Sequence, residues 1–356
     1  MATSYVRKSG NDGNNGTSPA TAKLTIQAGV GVATTAGDKC YVGAGVYREK
    51  VTTGHNGSVG SPIELIGDYT GEYTGDAGVV RITGSDDDIT ATRDQSINCT
   101  HNYRTFRNLK IDLTTTYGVL VYGGSNRIFE NVYFGNSPGI SIQIMNAATT
   151  DTIRRCVFDK GGTGYSTTAY ITHSSTQDSA GHVIENCIFK NGYVGLGFAR
   201  VAGCTVRNCT FTGFAYALNI VIALAAGQSN TVNNCIFANN GGRAIAAKAA
   251  GEIVENYNAF YGNVIDRENT DTGANSNTYP PLFDTRWFFE LASKSQKLVS
   301  PFDLSADSQL INVAGTSPTT TDLRGQAVIG AQREWGALEY NSALSKAVGI
   351  SRGRIV

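Results

Sequence analysis

Five acidic side chains lie between Leu113 and Ala250: Glu130, Asp151, Asp159, Asp178 and Glu185. Paired carboxylates can act as general acid and base, and two or three adjacent ones can hold Ca²⁺. None of the five adjoins another in sequence, so either chemistry needs a fold that gathers them. The densest acidic run is Asp86-Asp87-Asp88. Three successive strand residues cannot all point one way, so a solvated turn is expected there rather than a cation site. His55, His101, His173 and His182 are scattered and form no constellation with a nucleophile. The seven cysteines contain no Cys-x-x-Cys pair, the usual zinc pattern. No Gly-rich loop follows a strand and opens a helix, as phosphate binding would require. No metal or cofactor is expected. Tyrosine is abundant, at 17 residues, and Tyr165, Tyr170, Tyr193 and Tyr216 fall in or near one loop side. Exposed rings stack on sugars and anchor interfaces, which makes these four the candidate carbohydrate contacts.

The elements that must position these residues come from an internal repeat. Thr105-Phe-Arg-Asn-Leu-Lys-Ile returns as Ile128-Phe-Glu-Asn-Val-Tyr-Phe, Thr152-Ile-Arg-Arg-Cys-Val-Phe and Val183-Ile-Glu-Asn-Cys-Ile-Phe. It continues as Thr205-Val-Arg-Asn-Cys-Thr-Phe, Thr231-Val-Asn-Asn-Cys-Ile-Phe and Ile253-Val-Glu-Asn-Tyr-Asn-Ala-Phe. The anchors Asn108, Asn131, Arg155, Asn186, Asn208, Asn234 and Asn256 recur at the period of one β-helix coil. Apolar alternation on both sides of the anchor gives two short strands, and Asn tolerates the left-handed corner between them. Phe134, Phe158, Phe189, Phe211 and Phe237 should form one internal stack, and Cys156, Cys187, Cys209 and Cys235 another, as reduced thiols. With the earlier strands Lys39–Val42, Ile63–Ile66, Val79–Ile82 and Ile97–Cys99, about eleven coils are expected, a rod roughly 50 Å long at the strand spacing. Glu130, Arg154, Glu185 and Arg207 share position three, and should form an alternating charge ladder on a solvated face.

Composition agrees with a solenoid. The chain has 356 residues with 42 Gly and only 16% charged side chains. Lys+Arg and Asp+Glu are both 29, so no global field points to nucleic acid, and no apolar run is long enough to span a membrane. The opening Met1–Lys8 carries no apolar stretch of a secretory signal.

Three stretches resemble the pectate-lyase-like superfamily of right-handed β-helix proteins. The first runs from Asn11-Asp-Gly-Asn-Asn-Gly-Thr-Ser-Pro through Gly37-Asp-Lys-Cys-Tyr-Val-Gly-Ala-Gly-Val-Tyr-Arg-Glu to Gly60-Ser-Pro-Ile-Glu-Leu-Ile-Gly. The second is the Asn-Cys-x-Phe coil. The third comprises Pro281-Leu-Phe-Asp, Ser300-Pro-Phe-Asp-Leu, Asp322-Leu-Arg-Gly and Trp335-Gly-Ala-Leu-Glu-Tyr. The resemblance implies an all-β, right-handed parallel β-helix. Its parts would be an N-terminal cap over 1–38 (helical from Thr21 to Ala33), the solenoid over 39–264, a C-terminal capping segment over 265–340 and a basic tail over 341–356. Ile265 to Tyr279 reads as a polar loop. The superfamily includes lyases, hydrolases, adhesins and virion proteins. Lyases of this fold combine acidic Ca²⁺ ligands with a Lys or Arg base, and Asp159, Lys160 and Lys190 are the nearest grouping.

Two apolar runs, Leu218–Ala226 and Ala244–Ala250, lie one coil apart. A strand alternates inside and outside, so Ile220, Val221, Ile222 and Leu224 put apolar side chains on an outer face that needs a cover. A homotrimer is expected to supply it. Arg352 and Arg354 in the tail would contact other virion proteins. The expectation drawn from these features is a virion structural protein assembled in a host cytoplasm, such as a bacteriophage decoration, fibre or tail-spike component able to bind surface glycans, and not an enzyme. The alternatives are a polysaccharide lyase or hydrolase, and a carbohydrate-binding adhesin.

Overall fold

The structure, a computed structural model, describes residues 1–160, 169–174, 179–281, 309 and 336. Parallel strands stack in three lateral rows. Face one joins Thr3–Val6, Lys39–Val42, Ile63–Gly67 and the first halves of Arg104–Asp112 and Ile128–Phe134. It continues through Thr152–Arg154, Val183–Glu185, Thr205–Arg207, Asn230–Asn233 and Ile253–Asn256. Face two begins at Gly45–Tyr47 and ends at Ala259–Tyr261. Face three begins at Val51–Thr52 and ends at Ile265–Glu268. The chain winds through all three faces once per coil, so the expected parallel β-helix is present.

The corner between faces one and two follows the repeat. Asn108, Asn131, Arg155, Asn186, Asn208 and Asn234 all take a left-handed backbone, with φ between 52° and 59°. Asn pays little strain there because its short polar side chain bonds locally, and Asn131 Nδ2 donates to Asn108 Oδ1 at 2.8 Å. Position two points inward, as Phe106, Phe129, Ile153, Ile184, Val206 and Val232 are all buried. The phenylalanine stack runs from Phe134 to Phe260, with successive centroids 4.6–5.2 Å apart and planes within 9°. All seven cysteines are buried and unbridged. Burial and the neighbouring sulfurs push the thiols of Cys187 and Cys235 well up.

The last repeat is displaced by one residue. Val232 pairs with Glu255 and Asn233 with Asn256, so the left-handed corner falls on Tyr257 (φ 53°), not on the expected Asn256. The phrase Ile253–Phe260 is one residue longer than the others, and the added residue moves Glu255 into the inward slot. Its carboxylate is fully enclosed. It accepts from Arg267 Nε and the Gly273 N–H, both at 2.7 Å, from Ser276 Oγ at 2.6 Å and from Asn258 Nδ2 at 2.7 Å. Four charge-assisted bonds make this buried carboxylate tolerable where the apolar stack ends. Ile265–Glu268, expected to open a polar loop, instead extends face three beside Arg243–Ala246.

At the other end Thr3–Val6 already belongs to the rod. The helix there is shorter than expected, Ile26–Val32, and Thr25 caps it by accepting from the Ala28 N–H. Gly29 weakens helix propensity, yet a Cβ there would lie 2.2 Å from Val6 Cγ2 and 2.9 Å from Cys40 Sγ, so close seating on the first coil requires it. The capping segment beyond Pro281 and the basic tail lie outside the described residues except at two positions. At one of these, the Gly336 N–H donates to the Asn234 carbonyl at 2.8 Å.

Candidate functional site

The edge between faces two and three carries four of the seven residues that the sequence offers as catalytic or carbohydrate contacts. Asp159 and Lys190 are cross-strand partners on successive coils of face two, and their charged groups meet at 2.7 Å. The Tyr133 hydroxyl reaches Asp159 Oδ2 at 3.5 Å. Burial first, then the Asp159 carboxylate, push the Tyr133 phenol up to about 12. One coil lower, Lys110 lies 5.6 Å from the Tyr133 ring centroid and 3.5 Å from Asp112, which also holds Arg81 at 2.9 Å. Around the edge, on face three, Tyr193 and Tyr216 make an edge-on pair with centroids 5.7 Å apart. Arg243 sits 5.2 Å from the Tyr216 ring centroid, donates from Nη1 to the Tyr216 hydroxyl at 3.0 Å, and pairs with Glu268 at 2.5 Å.

Two expected contacts are elsewhere. Lys160 points into the rod: it is buried, and its Nζ donates to the Gly139 carbonyl at 2.8 Å and sits 5.1 Å from the Tyr170 ring centroid. Burial pulls its ammonium down to about 7. Tyr170, expected among the exposed rings, is buried too. Its hydroxyl accepts from the Lys160 N–H at 2.6 Å and donates to the Lys190 carbonyl at 2.6 Å. Both side chains turn inward because they fill the corner where the chain passes from face two to face three. Gly192 completes that corner, since a Cβ there would lie 2.7 Å from a Phe214 ring carbon and 2.8 Å from one of Tyr170. Gly192→Ala is therefore expected to lower stability by about 1–3 kcal/mol through overpacking, readable as a fall in the urea midpoint at unchanged slope. Tyr165 lies outside the described residues.

The remaining charges are structural. Along face one Arg107, Glu130, Arg154, Glu185 and Arg207 stand in register. Arg154 bonds Glu130 at 3.1 Å, Arg207 bonds Glu185 at 2.6 Å, and Arg155 also reaches Glu130. The alternation is the one expected, but Glu130 and Glu185 are buried rather than solvated. Asp86, Asp87 and Asp88 form a turn in which Arg93 holds Asp86 at 2.6 Å, and Arg48 and Arg81 hold Asp88 at 2.5 and 2.6 Å. Among the described residues no group of three His, Cys, Asp or Glu side chains is placed to hold a metal ion.

The apolar run on face three is not a plain alternation. Phe198 pairs with Ile220, but Ala199 pairs with Ile222, so the register slips by one residue. Ile220 is buried, Val221 and Ile222 are both exposed, and Leu224 is half-buried. Ala244, Ile245, Ala246 and Ala247, in the coil above, are buried.

A family model described as a right handed beta helix region matches residues 152–277. The structure is similar to that of a pectate lyase, Pel9A, at 18% identity and a TM-score of 0.64, over 96% of this chain and 97% of that one. The chain is a right-handed parallel β-helix, similar in fold to a pectate lyase. A rhamnogalacturonan lyase matches at 17% identity and a TM-score of 0.58, over 74% of each chain. The lacto-N-biosidase of Eubacterium ramulus matches at 12% identity and a TM-score of 0.59, over 73% of this chain and 56% of that one. No curated protein sequence matches the chain. At these identities the likeness is one of fold, and the β-helix owes its site to its own residues. Arg243, Glu268 and Tyr133 were not singled out from the sequence. The signal for Arg243 was there, since it follows Tyr216 by one coil length and so had to land beside it.

Proposed function

We propose that this chain is a polysaccharide-acting β-helix that holds a glycan along the edge between faces two and three. The observation that carries the reading is the array of Tyr193, Tyr216, Arg243 and Glu268 beside the Asp159–Lys190 pair. Phenol rings offer faces to sugar rings, and the ion-paired heads offer donors and acceptors to hydroxyls and carboxylates. The neighbours named as pectate and rhamnogalacturonan lyases support it, and they favour the polysaccharide-acting alternative over a virion component. Asp159 and Lys190 are the acid–base candidates, because they place a carboxylate and an ammonium 2.7 Å apart on neighbouring coils of one face.

The test is affinity electrophoresis against polygalacturonate, rhamnogalacturonan and neutral polysaccharides, followed by assays for reducing ends and for the absorbance of unsaturated products. At least one polymer should retard the protein. Tyr216→Ala and Arg243→Ala should each weaken that retardation about tenfold, the size of one stacking or charge-assisted contact. Unsaturated products lost in Lys190→Ala would identify an eliminative reaction, and new reducing ends without them a hydrolytic one. A flat response to the whole panel would overturn the proposal.

A further inference from the structure

The corner between faces three and one carries an imbalance of buried charge. Thr105 pairs with Ile128, which sets the residues before them, Arg104 and Arg127, at the same corner in successive coils. Both guanidinium side chains are buried. Arg127 is fully provided for. It pairs with Asp151 at 3.3 Å, donates from Nε to the His101 carbonyl at 3.2 Å, and bonds the Gly123 carbonyl. Arg104 is not. It donates once, from Nη1 to the His55 carbonyl at 3.2 Å, and its buried Nε has no partner. Among the described residues it makes no salt bridge, and the ionisable groups that favour its charge are the thiols of Cys99 and Cys40. Burial pushes the Cys40 thiol up to about 12, so it supplies no counter-charge at neutral pH.

The nearby ionisable side chains at this corner include two imidazoles, His101 and His55. His101 Nδ1 is engaged by Thr53 Oγ1 at 2.9 Å and Thr100 Oγ1 at 3.0 Å, which leaves Nε2 as its other bonding atom. Burial first, then the neighbouring Arg104, His55 and Arg127, lower the His101 pKa. Of the two buried guanidiniums, Arg127 has a carboxylate and Arg104 has none. A buried charge without compensation is among the costliest features a fold can carry.

We propose that the corner between the Thr53–Gly57 and Thr100–Arg104 segments binds a small oxyanion, with the Arg104 guanidinium as its main contact and His101 at its rim. The chemistry is shared by free phosphate or sulfate and by the carboxylate of a uronic acid. This site lies on a different edge from the glycan array and stands independently of it.

The experiment is thermal unfolding of the whole chain in chloride buffer, then with phosphate, sulfate or galacturonate added at matched ionic strength. Wild type should gain several degrees, saturating in the millimolar range, from at least one oxyanion but not from chloride. A response to phosphate or sulfate assigns a free ion, and a response to galacturonate alone assigns a sugar carboxylate. Arg104→Met should abolish the gain and, in chloride alone, melt at or above wild type. An equal response to chloride would overturn the proposal. So would a gain retained in Arg104→Met, or a variant that melts well below wild type without oxyanion, since the protein's own groups would then balance Arg104. Should Arg104→Met not fold, titration calorimetry of phosphate, sulfate and galacturonate into wild type decides: one saturable site supports the assignment, and no heat with any of the three removes it.

Discussion

Phe189→Ala is expected to lower the free energy of unfolding by about 3–5 kcal/mol. The ring is buried and lies between Phe158 and Phe211 at 4.6 Å on both sides, with planes within 4°. Truncation removes the transfer energy of the ring and leaves a cavity that two parallel neighbours cannot close without breaking their own rung. A solenoid concentrates the damage, because each coil is held mainly by the coils above and below it. The loss should appear as a lower urea midpoint, with hydrogen exchange accelerating first in Thr152–Arg154, Val183–Glu185 and Thr205–Arg207. Arg154→Ala on face one is the control. Its ion pair with Glu130 is partly exposed, so a change of about 1 kcal/mol or less is expected. A Phe189→Ala loss no larger than that of Arg154→Ala would refute a rod stabilised by its internal stacks.

The stack, the Asn corner and the charge ladder were legible because each is a repeated choice, and repetition fixes register without any knowledge of the third dimension. Legibility failed where one coil departs from the period. The added residue in Ile253–Phe260 moved Glu255 inside, and the slip after Phe198 sent Ile222 outward with Val221. A pattern of alternation cannot report a slip that alternation itself hides. Tyr170 and Lys160 failed for another reason. They sit at the corner between faces two and three, where the period-two rule lapses, and the packing of Gly192 against Tyr170 and Phe214 decides their direction. At the edge between faces two and three, Asp159 and Lys190 were placed together by counting coils, and Arg243 could have been.

The histidines show the same limit most clearly. Eight residues lie between His173 and His182, and in sequence they form no constellation. In the rod His173 lies on face three and His182 at the corner before face one, and their rings meet inside with centroids 4.7 Å apart. The His182 Nδ1 accepts from the Asp151 N–H at 3.2 Å and lies 3.7 Å from the Asp151 carboxylate. An Nδ1 that accepts must leave the proton on Nε2, so His182 is neutral there. Its Nε2 and both nitrogens of His173 have no partner among the described residues.

Asp151→Asn should therefore change how stability depends on pH. Burial, only partly offset by Arg127, raises the Asp151 carboxyl to about 7. Such a group contributes stability that is present in full below its unfolded pKa of about 3.9 and is lost as pH rises through 7. Burial, assisted by Arg127, lowers His182 to about 4, and burial also lowers His173 well below its usual value. Each imidazole thus contributes stability that is lost as pH falls below about 6.5, with a limiting slope of about 1.4 kcal/mol per pH unit. Between about pH 6.5 and 4 the Asp151 gain opposes one histidine loss, so this cluster's contribution should fall on acidification at about the slope of a single imidazole. Without the carboxyl, both imidazoles act unopposed and the limiting slope doubles. At pH 7.5 the variant also leaves the buried Arg127 guanidinium without its counter-charge, a loss of about 3–5 kcal/mol. Urea midpoints for both proteins at pH 7.5, 6.5, 5.5 and 4.5 carry the comparison. Parallel profiles would mean that Asp151 and the two histidines do not titrate against one another, and that the buried column is held by packing rather than by its protons.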